Sequence, residues 1–139
     1  RDILAGICDI GIANAYYVGR MKNAEAGSEQ RAWGDAIQVV RPVFAVENGG
    51  THVNISGAAV AKHAPNRDNA VKLLEYLVGD QAQSLYARAN YEYPVKPGVA
   101  LDPVVASFGT LHIDPLPLAD VVANRKLASE LVDKVGFDN

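Results

Sequence analysis

The order of apolar and polar residues divides this chain into a strand-rich first half and a helical second half. Residues 3–13 form a nearly continuous apolar run through Ile3, Leu4, Ile7, Ile10 and Ile12, which predicts a buried strand with its lead-in. A helix is expected over 15–25. The polar stretch from Ala24 to Gln30, with Gly27 and Ser28, reads as a surface loop. Val39 to Val46 is a second strand candidate, confined by Pro42 to an edge or a crossing segment. Glu47-Asn48-Gly49-Gly50 is the strongest turn signal. His52 to Ala61 follows as a small-residue strand, in which Gly57 marks a close backbone approach.

Helical spacing then takes over. Asn66 is placed to cap a helix over 67–78, whose face of Val71, Leu74 and Val78 is widened by Leu73 and Leu77. Gly79 ends it, and Asp80 is read as the cap of the next, with an apolar stripe of Ala82, Leu85, Tyr86 and Ala89. Tyr91 to Val95 is a short extended piece, and prolines punctuate residues 94–117. The last helix runs from about Asn124 to Val135 on Leu127, Leu131 and Val135, and Gly136 stops it. Strands mixed with helices give an α/β class, with no internal repeat.

Composition narrows the function. The 139 residues, 49% hydrophobic and 21% charged, suffice for one ordinary domain with a core. The net charge of −3 carries no basic stripe, so a nucleic-acid partner is excluded, and no apolar run approaches membrane-spanning length. Residues 1–20 lack a signal-peptide pattern, which suggests a mature, processed or partial sequence. A strand that opens almost at Arg1 would be central in a sheet, so much of that sheet is expected to lie in sequence outside this chain. Cys8 stands alone in the apolar run and reads as a buried, inert thiol.

The chemistry is concentrated at Tyr16-Tyr17, where the strand candidate breaks into a helix behind Asn14. Neighbouring residues point to opposite faces of a strand and do not face each other on a regular helix. Two phenols converge only where the backbone changes direction, and Asn14, a favoured N-cap, supplies that change. The pair reads as two oxygen donors for a hard cation; packing at a surface rim is the other reading. His52, His63 and His112 show no ligand spacing. Tyr91 and Tyr93 alternate about Glu92 in a pattern that favours packing over chelation. Enzymatic readings fail on chemistry. Cys8, the only thiol available to pair with His52, has no cation or helix N-terminus to activate it. Ser56-Gly57 lacks the first glycine of a nucleophile elbow, because Asn54 holds that place.

The run Asn14-Ala15-Tyr16-Tyr17-Val18-Gly19-Arg20 resembles the bacterial periplasmic ferric-ion-binding proteins, the solute receptors of iron ABC transporters. The likeness continues through Gly50-Thr51-His52-Val53-Asn54-Ile55-Ser56-Gly57-Ala58, Ala64-Pro65-Asn66-Arg67-Asp68-Asn69-Ala70-Val71 and Asn90-Tyr91-Glu92-Tyr93-Pro94-Val95. It ends with Asn124-Arg125 through Val135-Gly136-Phe137. Only the C-terminal part of that longer family is resembled. The resemblance implies an incomplete type II periplasmic-binding fold, with residues 1–45 and 98–139 in the second lobe and 46–97 returning to the first. It implies Tyr16 and Tyr17 as iron ligands and Asn14 beside a synergistic anion, carbonate or phosphate. The remaining ligands would come from the missing N-terminal portion. The setting it implies is the periplasm, free or lipid-anchored, with an ABC permease as partner. The alternative is a same-fold binding protein for another small ion or organic solute.

That cargo suits the residues. Ferric iron is small and hard, and anionic oxygen is its natural partner. A free phenol holds its proton until about pH 10, and a bound cation expels it. Two phenolates leave one positive charge for an anion to neutralise.

Overall fold

The computed structural model describes residues 1–43 and 49–137. Among them the regular structure is helical: α1 Ala15–Lys22, α2 Glu29–Asp35, α3 Arg67–Leu77, α4 Asp80–Asn90, α5 Pro103–Ser107, α6 Leu118–Ala123 and α7 Arg125–Val135. Residues 1–40 and 55–110 form one compact unit, and residues 41–54 and 111–139 form a second.

In the first unit, α1 packs against α2 and α5, and α3 against α4. Its buried apolar side chains are Val18, Ala82, Ala87 and Val105. Small residues dominate this list because the helices meet closely. A Cβ at Gly34 in α2 would lie 2.8 Å from the Lys22 nitrogen and the Met21 carbonyl carbon, so only glycine fits beneath α1 there. The one buried polar side chain among the described residues, Gln83, acts as a staple. Its amide donates to the Leu77 carbonyl at 2.7 Å, and its oxygen accepts from the Val95 amide at 2.9 Å. Gln83→Leu would strand both backbone groups and is expected to lower stability by about 1–3 kcal/mol, the usual penalty for such a loss. Thermal denaturation by circular dichroism checks this.

In the second unit, α6 packs on α7, and Thr51 forms an isolated parallel bridge with Ile113. The Thr51 amide donates to the His112 carbonyl at 2.7 Å, and the Asp114 amide to the Thr51 carbonyl at 3.0 Å. Gly50 lies directly against the backbone of His112, Ile113 and Asp114, leaving no room for a side chain.

The expected strands do not form among the described residues. Residues 2–7 make turns and a bend, and 8–13, 52–60 and 91–94 take no regular secondary structure. The part of 39–46 and of the Glu47-Asn48-Gly49-Gly50 turn that covers residues 44–48 lies outside the described residues. A strand needs a hydrogen-bonding neighbour and a covered apolar face, and the run at 7–12 has its apolar side chains in solvent. Ile10 and Ile12 are therefore 84% and 87% exposed. Cys8 is exposed too, which corrects the buried thiol.

The three long helices fall within a residue or so of their expected bounds, with corrections at the caps. Gly79, not Asp80, is the N-cap of α4, and Asp80 opens its first turn. Asn66 and Asn14 hold N-cap positions without a side-chain capping bond. Gly136 ends α7 in the left-handed region at φ 62°. The apolar stripes are only partly covered: Leu85, Leu127 and Leu131 are at least half exposed. The short helices α2, α5 and α6 were not expected. Each has a local signal: the Ser28 hydroxyl accepts from the Arg31 amide, the Asp102 carboxylate accepts from Val104 ahead of Pro103, and Pro117 precedes α6.

Candidate metal centre

Asn14 is extended (φ −71°, ψ 139°), and the chain turns into α1 immediately after it. Its carbonyl accepts from the Tyr17 amide at 3.2 Å. This is the kink that lets consecutive tyrosines approach one another. Their ring centroids are 4.3 Å apart with planes tilted by 40°. Tyr16 is half-buried, and Tyr17 is 47% exposed. Both rings thus share one spot at the rim of the first unit, with solvent access for a ligand. Val18 and Gly19, the next two residues, are buried and anchor the helix beneath them.

The electrostatics of the pair are mixed. The hydrogen bond with Tyr16 raises the Tyr17 phenol above its ordinary value, aided by the charge on Tyr16 and by partial burial, while Arg20 lowers it. Two phenols sharing a hydrogen bond resist losing a proton, because the first phenolate repels the second. Arg20 works the other way. Its guanidinium carbon sits 5.4 Å from the Tyr16 ring centroid, one turn along the helix, in cation–π range. Tyr17 therefore keeps its proton at neutral pH until a stronger positive charge arrives.

Other candidates do not assemble. Among the described residues no group of three His, Cys, Asp or Glu side chains could hold a metal ion. His52, His63 and His112 are all exposed. Cys8 and His52 fall in different units of the chain, and nothing links them chemically. The Asn14 side chain makes no capping bond to α1.

Two features here were not legible in the sequence. Arg20 stood in the motif, but its place over Tyr16 follows from helical spacing only once the helix start is fixed. Tyr91, read as part of an extended piece, is instead the left-handed C-cap of α4 at φ 60° and half-buried. Its side chain lies against Gly19, where a Cβ would come within 2.7 Å of the Tyr91 Cβ and Cγ.

No protein-family model matches the chain. It is 42% identical over 137 residues to iron uptake protein A2 of Synechocystis, an alignment that takes in 99% of this chain and 39% of that protein. Among solved structures, the Bordetella ferric binding protein superposes with a TM-score of 0.90 at 73% identity, over 100% of this chain and 43% of that one. A Trichodesmium IdiA (FutA) structure in complex with iron and citrate ligands matches at a TM-score of 0.86 and 41% identity, over 97% of this chain and 42% of that one. The fold class is accordingly α/β of the type II periplasmic-binding kind, present in part.

Proposed function

The chain belongs to the ferric-ion-binding protein family, spanning about two fifths of its relatives' length, and from that premise we propose that it carries half of a ferric-iron site. Tyr16 and Tyr17 bind the cargo ion through their phenolate oxygens. The Asn14 amide donates to a synergistic anion, carbonate or phosphate. The remaining ligands come from an N-terminal portion that completes the other lobe, with residues 1–45 and 98–139 in the second lobe and 46–97 in the first. The complete receptor works in the periplasm, free or lipid-anchored, and hands iron to an ABC permease. No helix among the described residues is long and apolar enough to cross a membrane. Iron is cargo, so the protein is a carrier and no bond-making step follows.

One observation carries this reading: two phenol rings with centroids 4.3 Å apart, the Tyr17 ring 47% exposed, at the start of α1. Phenols held this close can offer their oxygens to one cation. Hardness favours ferric iron over softer metals for such a donor pair. With two phenolates and the Arg20 guanidinium in place, the local charge around a trivalent ion stays positive, which favours an anion as the next ligand.

Titration with ferric iron in bicarbonate or phosphate tests the proposal. A red-brown phenolate-to-iron band is expected, strong when the 139 residues are part of the complete receptor and weak for the chain alone. Two protein ligands leave most of an octahedral ion to solvent and anion. Tight stoichiometric binding by the chain alone would contradict the requirement for a second lobe, and a colourless complete receptor would contradict the iron site itself.

A further inference from the structure

Tyr91 is the only described residue other than glycine with positive φ, at 60°. A bulky aromatic is disfavoured there, since the left-handed region suits glycine or asparagine. Such outliers persist where surrounding structure requires them, and they cluster at functional sites. The surroundings of Tyr91 are specific. Its Cβ and ring carbons occupy the space that a side chain at position 19 would need, with 2.7 Å to its Cβ and Cγ and 3.1 Å to Cδ1. Gly19 is buried and lies one helical turn after Tyr16 and two residues after Tyr17. At the C-terminal end of α1, a Cβ at Gly34 would lie 2.8 Å from the Lys22 nitrogen and the Met21 carbonyl carbon. Helix α1 has only eight residues. Its placement is thus set by two side-chain-free contacts, and the one nearer the tyrosine pair is formed by Tyr91.

We propose that Tyr91 is a positioning residue for the tyrosine pair: its left-handed backbone wedges the ring against Gly19 and holds α1 at the angle that brings both phenols to one point. This rests on the iron-site reading above and adds to it a residue that touches neither metal nor anion. The ring's bulk does the work. Gly19→Ala drives a methyl into Tyr91 and tilts α1. Tyr91→Gly relaxes the backbone and removes the wedge. Tyr91→Phe keeps both ring and backbone.

The experiment compares these three variants in the complete receptor by ferric titration, and follows the near-ultraviolet circular dichroism of the iron-free proteins. Gly19→Ala and Tyr91→Gly are expected to weaken iron binding about ten- to a hundredfold, the range for residues that orient metal ligands. Both should shift the charge-transfer maximum and alter the tyrosine signal of the iron-free form, whereas Tyr91→Phe restores affinity and band position. An unchanged band and affinity in Gly19→Ala, with the parent protein coloured, would overturn the positioning role and leave the iron site standing. A colourless parent protein would instead overturn the iron site. In that case the wedge is judged by the iron-free spectrum of Gly19→Ala, which keeps every tyrosine: an unchanged tyrosine signal rejects it, and an altered one supports it.

Discussion

The double variant Tyr16→Phe/Tyr17→Phe is expected to lose the visible band entirely and to bind ferric iron too weakly to measure by titration. Outer-shell partners of a metal ligand are worth about ten- to a hundredfold in affinity, and a phenolate bonded to the ion itself should exceed that for each tyrosine. The substitution separates binding from folding. Phenylalanine keeps the ring, so the contact between centroids 4.3 Å apart survives. Tyr17 is nearly half exposed, and Tyr16 is only partly buried. Removing hydroxyls at such positions changes stability by no more than about 0.5 kcal/mol when no buried network is broken. Each single variant should retain a weaker band, shifted in wavelength because one phenolate remains. Absorption spectra of iron-loaded single and double variants, beside their melting curves, check both halves. A double variant that stayed coloured would place the chromophore elsewhere.

The second large effect is the pH dependence of iron retention. Tyr17 holds its proton more firmly than an ordinary phenol because of its hydrogen bond to Tyr16. In the iron-free protein this favours the folded state fully below the ordinary phenol pKa of about 10, and the contribution fades only as pH rises through the raised value. Tyr17 therefore adds no pH dependence to iron-free stability between pH 5 and 8. Iron binding is different, because both phenols must give up protons to form the complex. Two protons released per ion mean that affinity falls by up to about a hundredfold for each pH unit of acidification. Competition titrations against a chelator between pH 5 and 8, corrected for the chelator's own protonation, measure the slope. A slope near zero would mean that the ion is not held by phenolates.

The helices were legible and the sheet was not, for one physical reason. A helix satisfies its backbone within its own segment, so caps and spacing suffice to place α3, α4 and α7. A strand depends on partners that can lie anywhere in the chain or beyond it. The apolar run at Ile3 to Ile12 carries the composition of a central strand, yet Ile7, Ile10 and Ile12 stand exposed in the chain as described. The closeness of the tyrosine rings was legible from the helix start after Asn14, although the Asn14 side chain does not make the capping bond expected of it. Tyr91 was not. Its left-handed backbone and its contact with Gly19 join residues 72 positions apart, and no periodicity records such a meeting. The small helices at Glu29 and Pro103 lay between these extremes: Ser28 and Asp102-Pro103 announce them, but segments of seven and five residues are too short for an apolar stripe.

Anomalous diffraction at the iron edge, from crystals of the iron-loaded receptor, tests the shared ferric centre most directly. A single iron peak within bonding distance of the Oη atoms of both Tyr16 and Tyr17 is the predicted result. A peak bonded to only one of them, or lying away from α1, would contradict it.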